Sequence, residues 1–259
     1  MKECIKIRGI RQRDVKTVPV LPPRLTSETM AKDMTLWWGS GSPPCWRVLI
    51  ALEEKNLQGY NQKLLSFEKG EHKSKEVMDV NPRGQLPAFK FGDIVINESY
   101  GACFFLESKF KSQGTKLIPD CAGSDNNCAL IALIMQRVFE GNTLHQKMAD
   151  VFMYNRRVPE NERHESAFKR LKETLTTELQ MWEGHLKKTP GGFLAGENFS
   201  MADVIVFPSV ALLLRMGLSE DKYPKLAEYY KKLQGRPSVK ATWPPTWKET
   251  PGQELLKDI

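Results

Sequence analysis

The sequence predicts two folded domains in tandem, an α/β domain followed by an all-α domain. Three observations carry this. Short apolar runs alternate with a helical period across residues 34–112. From Cys128 onward only helical periods appear. Between them lies a polar stretch, Lys111–Asp125, which holds Gly114, Pro119, Gly123 and Ser124 and reads as a linker, placed at 113–126. The helical domain then spans 127–259. With 259 residues, 41% of them hydrophobic and 9% aromatic, the chain can build a sizeable core in each domain.

Residues 1–33 read as a disordered extension. They lack sustained periodicity and run into Leu21–Pro22–Pro23–Arg24. Of the net charge of +7, +4 falls in residues 1–29, which hold seven Lys/Arg against three Asp/Glu. A nucleic-acid binder concentrates charge on its folded body, so nucleic acid is not an expected partner. A mitochondrial presequence is the alternative for this basic segment.

The first strand is Met34–Trp38. Ser42 is a favoured N-cap residue and Pro43 suits the first helical position. Cys45, Val48, Leu49 and Leu52 then recur at helical spacing, with Glu53, Glu54 and Lys55 assigned to the solvated side. A hydroxyl at a strand-to-helix turn is either a cap or a group facing an anion at the helix N-terminus. Lys63–Phe67 is a second strand, parallel to the first because a helix joins them. After the charged run Glu68–Lys75, the segments Leu86–Phe91, Gly92–Asp93 and Ile94–Ile96 read as strand, turn, strand. Glu98–Ser99 opens a helix with Ala102, Cys103, Phe105, Leu106 and Phe110 on its apolar side.

In the second domain, long helical periods run through Cys128–Phe152, Glu165–Leu186 and Met201–Leu214, with a shorter one at Tyr223–Leu233. Ser200 and Asp203 form an acidic variant of the capping box, and Phe199 and Val204 occupy the two staple positions. No apolar run nears the ~20 residues of a membrane span, so no membrane partner is expected. The five cysteines (Cys4, Cys45, Cys103, Cys121, Cys128) show no metal-ligand spacing. They read as reduced thiols in a cytoplasmic protein.

Four segments in this order resemble the soluble glutathione transferases: Ser42–Pro43–Pro44–Cys45, then Asn81–Pro82–Arg83–Gly84–Gln85–Leu86–Pro87, then Asn97–Glu98–Ser99, then Phe199–Ser200–Met201–Ala202–Asp203. The match covers about Met34 to Trp247. The strings GSGSPPCWR, EHKSKEVMDVNPRGQLPAF and RPSVKATWPPTW are similar to the rho class of fish and other aquatic animals. The resemblance implies a thioredoxin-like domain, a helical domain, a homodimer, and conjugation of reduced glutathione, as co-substrate, to small hydrophobic electrophiles in detoxification. No permanently bound cofactor and no metal are implied.

Residue by residue, the resemblance makes Leu86–Pro87 a cis-proline turn that pairs with the cysteinyl backbone of glutathione. Ser99, with its N–H, would receive the γ-glutamyl carboxylate, Glu98 the ammonium, and Gln85 the backbone or a carboxylate. His72, with Lys73, would meet the glycine end. Leu36–Trp37–Trp38 carries no tyrosine hydroxyl, so the thiolate falls to a serine: Ser42, with Ser40 as the alternative. Trp38, side chains of Phe139–Phe152, Trp243 and Trp247 would line the apolar half of the site.

Two rivals stay open at this point. A glutathione-dependent thiol reductase or peroxidase would use Cys45, although one turn into the apolar face it reads better as a core residue. A non-enzymatic glutathione transferase-like binding module would keep the fold without the chemistry.

Overall fold

The computed structural model describes residues 31–121 and 125–259. Residues 1–30 of the expected extension lie outside that range, and Ala31 is already buried. The first domain is built on four strands, β1 (Met34–Trp38), β2 (Asn61–Leu64), β3 (Ala88–Phe91) and β4 (Ile94–Ile96), in the order β2-β1-β3-β4. β1 runs parallel to β2, with Trp38 opposite Leu64, and antiparallel to β3, with Leu36 opposite Phe89. Helices α1 (Pro43–Glu54), α2 (Lys75–Val80) and α3 (Ser99–Lys109) complete a thioredoxin-like domain.

Two elements differ from the sequence reading. β2 sits earlier than Lys63–Phe67 because its side chains are all exposed on an edge strand, so burial leaves no apolar run to follow. Helix α2 falls inside a stretch read only as charged and polar. It buries Val77 alone and is held by Ser74, whose hydroxyl accepts from the Val77 N–H at 3.5 Å.

The second domain is helical: α4 (Asp125–Arg157), α5 (Glu165–Lys188), α6 (Met201–Arg215), α7 (Pro224–Gln234), α8 (Pro237–Ala241) and α9 (Thr246–Glu249). Its centre is α6, buried from Met201 through Leu213. The capping box is present: the Asp203 carboxylate accepts from the Ser200 N–H at 2.9 Å, the Ser200 hydroxyl at 3.0 Å and the Leu194 N–H at 3.0 Å. Phe199 and Val204 are both buried.

Helix α1 is shared by both domains and is buried nearly all round, which corrects the solvated side assigned to Glu54 and Lys55. Glu54 receives Arg236 Nε at 2.5 Å, Arg236 Nη2 at 2.7 Å and the Ser238 hydroxyl. Lys55 pairs with Glu107 and donates to the Thr115 carbonyl at 2.8 Å. A second correction concerns the thiols. Cys121 and Cys128, read as reduced, form a disulfide where the linker meets the first turns of α4 and brings their Cα atoms to 4.9 Å. Cys45 and Cys103 are free and buried. Among the described residues, no helix is long and apolar enough to cross a membrane.

Candidate active site

The turn between β1 and α1 is tightly packed. A Cβ on Gly39 would stand 2.1 Å from the Phe67 ring, so only glycine lets that ring lie across the turn. Gly41 has φ +76°, and Trp247 Nε1 would be 2.8 Å from any Cβ there. The tail of the helical domain therefore closes one side of the turn.

Ser42 occupies the N-cap of α1, half-buried, with extended backbone. Its side chain makes no capping bond to the backbone. Pro43 and Pro44 follow, and neither has an N–H to cap. The backbone donors that usually crowd a helix start are thus reduced, and the hydroxyl becomes the main donor at this end. It lies beside the Cys45 thiol and opposes the rise of its pKa. That thiol accepts the Gly39 N–H at 3.4 Å. Burial pushes the Cys45 pKa up to about 11, against the smaller opposing effect of Ser42.

Ser40 is engaged elsewhere. Its hydroxyl meets Thr246 Oγ1 at 2.7 Å and accepts the Thr246 N–H at 3.1 Å, fastening the turn to α9.

The Leu86–Pro87 bond is cis. Asn81 Nδ2 donates to the Gln85 carbonyl at 2.8 Å, and Asn81 Oδ1 accepts the Arg83 N–H at 3.2 Å, so one buried amide holds the turn ahead of the proline. Gln85 is exposed. Lys73 folds over Gly84 and donates to the Arg83 carbonyl at 3.0 Å. His72 lies beside Phe67, ring centroids 5.3 Å apart, and its buried Nδ1 has no hydrogen-bond partner among the described residues. Partial burial, then the Lys73 charge, lowers its pKa and keeps the ring neutral.

Glu98 is the N-cap of α3 without a side-chain cap bond, and its exposed carboxylate pairs with Arg83 Nη1 at 2.8 Å. Ser99 is the first helical residue and is buried. Behind it stands Arg47 of α1, which donates to Ser99 Oγ at 3.2 Å. The sequence reading assigned Arg47 no role. A cationic residue on the apolar face of a helix was the available signal. Asn81, which shapes the turn before the cis proline, was likewise not singled out.

The apolar candidates separate. Trp247 lies against Gly41 beside the serine turn and packs edge-on to Trp46 at 5.3 Å. Trp243 stands a layer behind, 5.2 Å from Trp46, and flanks two surface cavities of about 450 and 370 Å³ that Ser42 does not line. Trp38 is a core residue. Phe139 is 66% exposed, on the face of α4 away from the buried Arg137 and Gly141, so the structure does not gather it with Trp247. Among the described residues, no group of three or more His, Cys, Asp or Glu side chains converges as a metal site.

Two family models and several known proteins match this chain. Residues 41–109 match the family model described as glutathione S-transferase, N-terminal domain. Residues 142–242 match that described as glutathione S-transferase, C-terminal domain. Glutathione S-transferase A of Pleuronectes platessa is 66% identical over 231 residues, which cover 89% of this chain and 100% of that protein. A glutathione S-transferase from the Antarctic clam Laternula elliptica has a similar structure, with TM-score 0.76 and 39% identity, covering 87% of this chain and 99% of that one. The glutathione transferase URE2P6 of Phanerochaete chrysosporium, solved in complex with oxidized glutathione, aligns with TM-score 0.70 and 26% identity over 85% of this chain and 97% of that one.

Proposed function

The chain belongs to the glutathione S-transferase family, and from that premise we propose a serine-type mechanism in which Ser42 stabilises the thiolate of reduced glutathione. The enzyme is a glutathione transferase: the thiolate sulfur attacks an electrophilic carbon, a C–S bond forms, and the leaving group departs with its electron pair. The thiol proton is lost to solvent beforehand.

The observation that carries the assignment to Ser42 is its hydroxyl at the start of α1, with no capping bond and a neutral buried thiol beside it. A thiol is a weak acceptor, whereas a thiolate accepts a charge-assisted bond roughly twice as strong. The hydroxyl gains by turning from Cys45 to the bound sulfur, and this gain favours the anion. Ser40 supports the turn instead, through Thr246.

Glutathione is held by the turn at Gln85–Leu86–Pro87, by Ser99 for its γ-glutamyl carboxylate, by Glu98 for its ammonium, and by His72 and Lys73 at the glycine end. The unbonded first-turn N–H groups of α3 and the dipole there suit a carboxylate. Glu98 would exchange Arg83 for the ammonium. Trp247, and Trp243 behind it, form the apolar side that receives small hydrophobic electrophiles. Phe139 fits another role better. With Met181, Ile94 and Val95 it is among the large exposed apolar side chains, 43–66% exposed, which suit contact with a second copy in a homodimer. The rho-like class and a cytoplasmic location complete this reading.

The reductase alternative loses ground at Cys45, which is fully buried with its pKa raised to about 11. A reactive thiolate requires exposure and a lowered pKa. The experiment is retention on immobilised glutathione together with conjugation of a dinitrobenzene substrate. Both should be observed. Binding without conjugation would return the chain to a non-enzymatic module, and disulfide reduction without conjugation to the reductase.

A further inference from the structure

Arg47 is 2% exposed, yet among the described residues it has no carboxylate partner. Its Nε donates to the Ile205 carbonyl at 2.8 Å, Nη1 to Ser99 Oγ at 3.2 Å and Nη2 to Ser209 Oγ at 3.4 Å. Its guanidinium carbon lies 4.8 Å from the centre of the Tyr100 ring. His145 faces the same cluster through Ser209, Nδ1 to Oγ 3.4 Å. Burial first, then the Arg47 charge, drops the His145 pKa to about 3, so it is neutral and brings no counter-charge. An unpaired charge in a protein interior is costly, and such groups are ordinarily paired. Here the acceptors are all neutral.

The polarity of one contact matters most. A guanidinium can only donate. Ser99 Oγ therefore accepts from Arg47, and its own hydrogen must point elsewhere. No acceptor for it occurs among the described residues, although Ser99 is 6% exposed. The hydroxyl is left as a donor at the start of α3, beside the unbonded N–H groups of the first turn.

We propose that Arg47 is the positioning residue for the γ-glutamyl carboxylate of glutathione: it holds the Ser99 hydroxyl as a donor and sets a buried positive charge behind it, which the carboxylate completes as counter-ion. This rests on the reading above that Ser99 receives that carboxylate. It adds that the selectivity for an α-carboxylate originates in α1, about one turn in from the N-cap Ser42 that faces the sulfur. One helix thereby registers both ends of the reacting half of glutathione. The effect belongs to binding, so it should appear in KM and Kd and leave kcat at saturating glutathione nearly unchanged.

The test compares three ligands by calorimetry: glutathione, glutaryl-Cys-Gly, which keeps the carboxylate and lacks the ammonium, and γ-aminobutyryl-Cys-Gly, which keeps the ammonium and lacks the carboxylate. The wild-type protein should bind glutathione about 10- to 100-fold more tightly than γ-aminobutyryl-Cys-Gly, the range of a charge-assisted hydrogen bond. Arg47→Met should weaken both carboxylate ligands at least tenfold and leave γ-aminobutyryl-Cys-Gly within about twofold. Arg47→Lys, which retains the charge, should recover part of the difference. Equal weakening of all three ligands, or an undiminished preference for the carboxylate, overturns the proposal. If Arg47→Met fails to fold, Ser99→Ala interrupts the relay with Arg47 in place and should flatten the preference in the same way, and a retained preference there also overturns it. A wild-type protein without any preference shows instead that Ser99 is not the carboxylate anchor, and the proposal falls with that reading.

Discussion

Ser42 and Ser200 each precede a helix that is buried nearly all round, α1 and α6, and their side chains are used in opposite ways. Ser200 and Asp203 are closed on each other: the carboxylate takes the Ser200 N–H, the Ser200 hydroxyl and the Leu194 N–H, all at 2.9–3.0 Å, and both residues are buried. Nothing is left for a ligand, and the role is folding. Ser42 has the same position and extended backbone but no capping bond, two prolines where donors would be, and a neutral thiol for company. A helix start whose polar groups are all paired with protein stabilises the fold. One left incompletely paired is available for chemistry. Ser40 shows the same distinction within one turn, since Thr246 takes up its hydroxyl.

This contrast can be broken by exchanging readouts. The largest effect is expected at Ser42: Ser42→Ala should lower kcat/KM for conjugation by about 10²–10³, the usual cost of removing a donor aimed at developing charge. Its melting curve should stay within about 0.5 kcal/mol of wild type, because no cap is lost. A stability loss as large as that of a true cap would erase the distinction drawn here.

Next is Asp203, whose pKa burial raises from 3.8 to about 6. Between those values the folded state holds a proton that the unfolded state has released. Asp203 therefore favours folding most below pH 3.8, and that contribution is lost as pH rises through 6. A shift of about two units corresponds to about 3 kcal/mol. Denaturant unfolding from pH 3.5 to 7 should show this fall in wild type and not in Asp203→Asn. An unchanged slope in the variant would show the group titrates normally.

Ser200→Ala should cost about 1 kcal/mol of stability with the activity of the folded enzyme intact, read by urea midpoint and by rate per active site. The smallest effect is expected for Ser40→Ala, within about threefold in kcat/KM, through looser docking of α9. A loss at Ser40 matching that at Ser42 would reverse the assignment between them.

What could be read in advance followed the range of the interaction. The hairpin at β3–β4 announces itself with Gly92–Asp93, and the α6 cap with Ser200 and Asp203, because turn and cap chemistry is local. Helix α2 was hidden since a six-residue helix burying Val77 alone has no period to detect. Glu54 and Lys55 looked solvated because their partners, Arg236, Ser238, Glu107 and Thr115, are far along the chain. Arg47 escaped for the same reason: Ile205, Ser209 and Ser99 reach it only in the folded protein. Phe139 was expected to line the apolar half of the site from its position in the chain alone. The rotation of α4 that buries Arg137 and Gly141 turns it out. Cys121 and Cys128 meet where the linker folds onto α4, which their spacing alone does not signal.

The central claim is that the Ser42 hydroxyl stabilises a glutathione thiolate, and the direct measurement is the pKa of glutathione's thiol while bound. Ultraviolet thiolate absorbance, followed against pH with enzyme in excess, should give a value well below the ~8.5 of a free thiol in the wild-type complex. In Ser42→Ala it should return toward that free value while glutathione remains bound. The same lowered pKa in both proteins would contradict the account.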